Sequence, residues 1–106
     1  MALAVKYRNE TAENLSKLIR LKSLSCQEEA VNAELKRQMV EAGFDEVRID
    51  RLGNVIGRIG SGRKILAIDA HMDTVDTGNI DNWDFEPYSG EIRDGHVLGR
   101  GTVDQK

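Results

Sequence analysis

His71 and Asp73 stand two positions apart at the end of an apolar run, Ile65-Leu66-Ala67-Ile68-Asp69-Ala70. A run of this length and composition predicts a buried β-strand. Side chains alternate faces along a strand, so His71 and Asp73 would leave from the same side, about 6–7 Å apart. The C-terminal end of a core strand in an α/β protein is where ligands usually sit. An imidazole and a carboxylate placed there suit a divalent metal, or a histidine oriented by an aspartate. Taken alone, the pair fits equally a hydrogen-bonded histidine beside a solvated loop acid. Asp104 adds a third group. It closely follows Gly99-Arg100-Gly101, and glycines let the backbone approach a site in conformations closed to other residues.

The elements that must position these groups are legible as two periodicities. Leu15, Leu18, Ile19 and Lys22 fall at the i, i+3, i+4, i+7 spacing and predict a helix near residues 10–22, with the lysine stem lying along the apolar stripe. Ser25-Cys26-Gln27-Glu28 fits a capping box opening a second helix. Its buried face would be Ala30, Val31, Leu35, Met39 and Ala42, and Gly43 supplies the stop. Alternation follows. Val47 and Ile49 mark one strand, Leu52-Gly53-Asn54 a turn, and Val55, Ile56 and Ile59 a second strand. Gly60-Ser61-Gly62 turns the chain into the run that ends at Ala70. A long loop from Thr74 to Tyr88 carries Trp83, Phe85 and Pro87, and Glu91 to Leu98 reads as a hairpin turning at Asp94-Gly95. This order predicts an α/β fold, with helices packed on a mixed β-sheet whose central strand is Ile65 to Ala70. One sheet face would have nothing to cover it, so the chain reads as the front part of a larger domain.

Composition narrows the classes of partner. With 106 residues the chain is one domain or part of one, and 40% hydrophobic with 31% charged residues is a globular balance. A net charge of −3 offers no basic surface for nucleic acid or an anionic membrane. The apolar start is too short for a signal peptide, and no apolar run approaches the roughly 20 residues that span a bilayer. Cys26 is the single cysteine, which excludes an intrachain disulfide and a cysteine-based zinc cage. The expected compartment is the cytoplasm.

Several motifs together resemble the M20 family of zinc peptidases and amidohydrolases. They are Gly53-Asn54-Val55, His71-Met72-Asp73-Thr74-Val75, Trp83, Pro87, Asp94-Gly95 and, most tellingly, Gly99-Arg100-Gly101-Thr102-Val103-Asp104-Gln105-Lys106. Their order and spacing agree from about Leu15 onward. Asn82-Trp83-Asp84-Phe85, with the Gly-Arg-Gly-Thr-x-Asp-Gln form, is similar to the branch named for hydrolases of selenium metabolism.

The resemblance implies that residues 1–106 are the N-terminal segment of the catalytic domain of a dizinc exopeptidase-like fold. The C-terminal half of that domain and the inserted lid, used for dimerisation and substrate contact, are absent. His71 would be a terminal ligand of one zinc ion, and Asp104 would bridge two. Asp73 is the implied catalytic-site residue that binds no metal and holds the His71 imidazole by a hydrogen bond. The resemblance also implies a cis peptide after Asp104. A general-base glutamate and the remaining ligands fall outside the chain, and no separate cofactor-binding residue is assigned. Two zinc ions would complete the site, with cobalt or manganese accepted by the same ligand types. The implied activity is hydrolysis of an amide bond in small peptides or N-acylated amino acids. Implied partners are that substrate, the remainder of the catalytic domain, and a second copy through the lid. With two metal ligands, the isolated chain should be inactive. The alternative, motivated by the uncovered sheet face, is a non-catalytic α/β binding or assembly segment that docks on a second chain.

Other tempting residues are read as structural. Asp69 shares the strand face of His71 and Asp73, but a strand-end acid usually finds water or a backbone donor. His96 lies at a hairpin turn and is not read as a ligand. Trp83 and Phe85 are read as packing for the long loop, and Arg100 as part of a structural turn. Asp76, Asp81 and Asp84 miss the alternating order of a calcium loop.

Overall fold

Helix α1 covers Ala2–Ile19, starting well before the predicted stripe begins. Its early residues carry no buried face: Leu3 and Val5 are exposed, whereas Ser16, Leu18 and Ile19 are buried at the far end. Good helix formers extend the helix here without tertiary support. Lys22 falls beyond the helix, where its ammonium lies 5.8 Å from the Tyr88 ring centroid and 3.8 Å from Asp76. The computed structural model describes residues 2–105.

Helix α2 covers Glu29–Glu41, close to the predicted span. The capping box does not form as read. Glu28 occupies the cap position without a side-chain cap, while its carboxylate accepts from the Cys26 N–H at 2.8 Å. Val31 is fully buried, Leu35 and Met39 are half-buried, and Ala30 and Ala42 face solvent. The stop at Gly43 is as expected. Its φ is +81°, and Phe44 N–H to Met39 C=O (3.1 Å) with Gly43 N–H to Val40 C=O (3.1 Å) makes a Schellman closure.

On the exposed face of α2, Arg37 bonds Glu34 through two nitrogens, at 2.7 and 2.5 Å, and also reaches Glu41. The guanidinium holds the Glu34 carboxyl down at about 2, from an ordinary 4.5. The folded pKa lies below the unfolded one, so this contribution is full above about pH 4.5 and is lost as pH falls through about 2. Solvent screening keeps it small. Acid titration followed by circular dichroism should therefore show Glu34→Gln losing less helicity than wild type across that window. Identical acid profiles would mean that the pair contributes nothing.

The strands form two separate antiparallel pairs. β1 (Glu46–Ile49) pairs with β2 (Val55–Arg58), with Glu46 opposite Arg58 and Ile49 opposite Val55. Asp50 ties the connection by accepting from the N–H groups of Leu52 and Asn54, each at 2.9 Å. The hairpin packs on α2 through Gly57, where an added Cβ would meet the Phe44 ring at 2.5 Å. β3 (Glu91–Arg93) pairs with β4 (His96–Leu98) across Asp94 and Gly95, whose φ values of +51° and +79° suit a tight two-residue turn. This second hairpin leans on α1, with Ser16 Oγ donating to Gly90 C=O at 2.5 Å.

The class is α/β, as predicted, but the sheet differs. Residues 65–70 form no strand, and Ile65, Leu66 and Ile68 are 92%, 85% and 88% exposed. The physical reason is pairing. β1 and β2 bond only each other, as do β3 and β4, so no ladder reaches the apolar run and no mixed sheet forms around it. Among the described residues the one parallel link is an isolated bridge between Leu24 and Thr74. A radius of gyration of 15.2 Å, against about 13 Å for a packed domain of this length, reflects the same openness. Among the described residues no helix is long and apolar enough to cross a membrane.

Candidate metal-binding site

The sequence segment around His71 is held by its neighbour in space rather than by a sheet. Thr74 N–H donates to Ser23 C=O at 2.7 Å, and Ser23 Oγ donates to Met72 C=O at 2.9 Å. Asp73 lies between these two contacts, and Ser25 Oγ donates to its Oδ2 at 2.5 Å. Asp104 arrives on a separate chain of turns. Arg100 N–H donates to Pro87 C=O (2.8 Å), Thr102 Oγ1 to Gly99 C=O (3.0 Å) and Asp104 N–H to Gly101 C=O (3.0 Å).

These two supports bring His71 and Asp104 together. His71 Nε2 lies 3.3 Å from Asp104 Oδ1. The other ring nitrogen, Nδ1, lies 3.1 Å from Asp73 C=O and 3.4 Å from Asp73 Oδ1. A carbonyl oxygen only accepts, so Nδ1 carries a proton, and Nε2 is the nitrogen turned toward Asp104. The main-chain carbonyl of Asp73 is thus the nearer partner, and the carboxylate lies slightly farther off. Gln105 adds a contact from its side-chain oxygen, which accepts from the His71 N–H at 3.2 Å. The peptide after Asp104 is trans, as are all peptides of the described residues.

Electrostatics follow the geometry. The Asp104 carboxylate beside Nε2 raises the His71 pKa above the ordinary imidazole range, with help from the Asp73 carbonyl. The Ser25 hydroxyl, more than the nearby imidazole, lowers the Asp73 pKa. All three side chains stay open to solvent.

The donor set fits a zinc-type metal as far as it goes. Two ligands held at about 2.0–2.1 Å from a tetrahedral zinc stand about 3.3–3.4 Å from each other, and the observed 3.3 Å meets that spacing. Two donors are not a complete site. Among the described residues no group of three or more His, Cys, Asp or Glu side chains could hold a metal ion.

Asp69 lines a cleft of about 380 Å³ beside His71, together with Cys26, Glu28 and Asn32. His96 keeps to its hairpin, with Nδ1 3.0 Å from Asp94 C=O. The Trp83 indole donates to Thr77 C=O at 3.0 Å, meets Phe85 edge-on at 5.5 Å and underlies the Arg100 guanidinium at 4.7 Å. That cluster braces the loop leading to Asp104. Ser25 and Gln105 carry no predicted site role, because Ser25 has a helix-cap signature and Gln105 enters only as the last residue of the Gly-Arg-Gly-Thr-x-Asp-Gln form.

Residues 67–106 match the profile of peptidase family M20/M25/M40. The chain is 46% identical over 103 residues to the uncharacterized protein YgeY of Escherichia coli K12, covering 97% of this chain and 26% of that protein. It is 33% identical over 101 residues to the succinyl-diaminopimelate desuccinylase of Acinetobacter baylyi, covering 93% and 27%. The chain carries the N-terminal portion of an M20-family sequence, and it spans about a quarter of the length of these curated relatives.

Proposed function

We propose that this chain contributes part of the active site of a zinc-dependent hydrolase of amide bonds, acting on small peptides or N-acylated amino acids. The observation that carries the reading is the 3.3 Å approach of His71 Nε2 to Asp104 Oδ1, with the opposite ring nitrogen tied back to Asp73. Family sequence and a desuccinylase among the relatives support hydrolysis of an N-acyl group. His71 would hold one metal through Nε2, and Asp104, with two carboxylate oxygens, would bridge two. Asp73 would fix the tautomer that leaves the Nε2 lone pair outward. When bound, a metal pair supplies a water whose pKa is lowered toward about 7 and a Lewis acid for the carbonyl.

Under this reading residues 1–106 form the N-terminal segment of the catalytic domain of a cytoplasmic enzyme. The general-base glutamate, the further ligands and a dimerising lid belong to the remainder of the protein. Cobalt or manganese would suit the same nitrogen and carboxylate donors. The chain by itself is inactive.

Calorimetric titration of zinc into the 106-residue chain tests the assignment. Two donors should give a dissociation constant of about 10 μM or weaker, far from the affinity of four-ligand sites. His71→Ala and Asp104→Ala should each remove that binding. Stoichiometric nanomolar binding by the chain alone would contradict the division of ligands. The exposed run at Ile65, Leu66 and Ile68 favours a second reading, an assembly segment docking on another chain. That role needs no metal, so binding of a second chain that survives both substitutions, without zinc binding in wild type, would favour it.

A further inference from the structure

We infer that Ser25 is a positioning residue of the site: its hydroxyl anchors the Asp73 carboxylate so that Asp73 in turn orients the His71 ring. The inference rests on reading His71 as a metal ligand. Three observations on one short segment carry it. Leu24 bridges Thr74 in parallel, so residues 23–25 run alongside residues 72–74. Ser23 fixes that register with both its main chain and its hydroxyl, at 2.7 and 2.9 Å. Ser25, two positions on, places Oγ on Asp73 Oδ2 at 2.5 Å, within the range for a hydroxyl donating to a carboxylate.

The geometry divides the work of one carboxylate between its two oxygens. Oδ2 takes the Ser25 hydroxyl, and Oδ1 remains 3.4 Å from His71 Nδ1. Without the hydroxyl, the carboxylate could swing about its broad terminal torsion into open solvent. A local helix role does not explain Ser25. Helix α2 begins at Glu29, its cap position is Glu28, and no side chain caps it. The contact instead joins segments 48 residues apart in the chain.

The test uses the full-length protein and zinc alone. Zinc affinity is read by competition with a chromophoric chelator, alongside the visible absorption of the cobalt-substituted protein and thermal melting by circular dichroism. Removing groups that orient a ligating histidine typically weakens metal binding about 10–100-fold. Ser25→Ala should fall near the lower end, about tenfold, with an altered cobalt spectrum and unchanged melting. Ser25→Thr, which retains the hydroxyl, should restore wild-type affinity. His71→Ala is the control and should lose the zinc ion that His71 holds. If His71→Ala loses zinc while Ser25→Ala binds as wild type, the positioning role is overturned and the metal reading stands. Equal weakening by Ser25→Ala and Ser25→Thr also overturns it, because the hydroxyl would then be irrelevant. Wild-type zinc affinity in His71→Ala overturns the metal reading itself.

Discussion

Asp104→Ala in the full-length protein is expected to remove activity and bound zinc together. The fall in kcat should be at least about a thousandfold, the upper range seen when a group stabilising transition-state charge is deleted. The argument is one of donor count. Asp104 Oδ1 stands 3.3 Å from His71 Nε2, and the described residues offer no group of three donors for a metal ion. As the proposed bridge, Asp104 would serve both ions, so its loss leaves each of them one donor short. Asp73→Asn should behave differently. It keeps the main-chain carbonyl that lies nearest Nδ1, at 3.1 Å, and alters only the carboxylate beyond it. Turnover should therefore fall more than metal content. Metal analysis beside steady-state kinetics checks both. Complete zinc loss in Asp73→Asn, with both ions retained in Asp104→Ala, would reverse the assigned roles.

Gly99→Ala should be severely damaging for a single added methyl group. A Cβ there would sit 2.2 Å from Ile19 Cγ2 and 2.9 Å from Pro87 C=O, at a φ of +156° that side chains rarely adopt. Ile19 is fully buried, and the carbonyl of Pro87 is already engaged by Arg100 N–H, so neither neighbour yields easily. Overpacking and backbone strain together should cost about 2–4 kcal/mol. Relief by moving the loop would carry Asp104 with it, and a displacement of about 1 Å at a reacting centre can cost about a hundredfold in rate. Urea unfolding and zinc retention measure the two effects. Gly62→Ala, where a Cβ meets nothing within 4 Å, is the control that should change little. A Gly99→Ala protein as stable as wild type would show that the loop does not rest on Ile19.

Much of this fold was legible in the residues, and the parts that were not share a cause. Periodicity located α2 and the two hairpins, because local pattern and turn chemistry decide them: Gly43, Asp50 and Asp94-Gly95 act within a few residues of their own position. Competition between local and distant partners defeated the capping box. Ser25 had a cap to make, and the Asp73 carboxylate took its hydroxyl instead. The apolar run at residues 65–70 misled for the opposite reason. Hydrophobicity reports that a segment suits burial, yet a strand also needs neighbours to bond, and none of the four strands reaches it. The proximity of His71 and Asp104 was legible only through family resemblance. Nothing in their spacing announces that a loop resting on Ile19 will deliver one to the other.

The unpaired run also bears on how the polypeptide behaves in concentrated solution. Ile65, Leu66 and Ile68 present oily side chains beside main-chain amides that take part in no ladder, which is the template that fibril-forming segments exploit. Arg63 and Lys64 precede this stretch and Asp69 interrupts its end. Flanking charges of this kind act as gatekeepers, since stacking like-charged neighbours in register is repulsive. Low salt should favour their protection, and high ionic strength should screen it away.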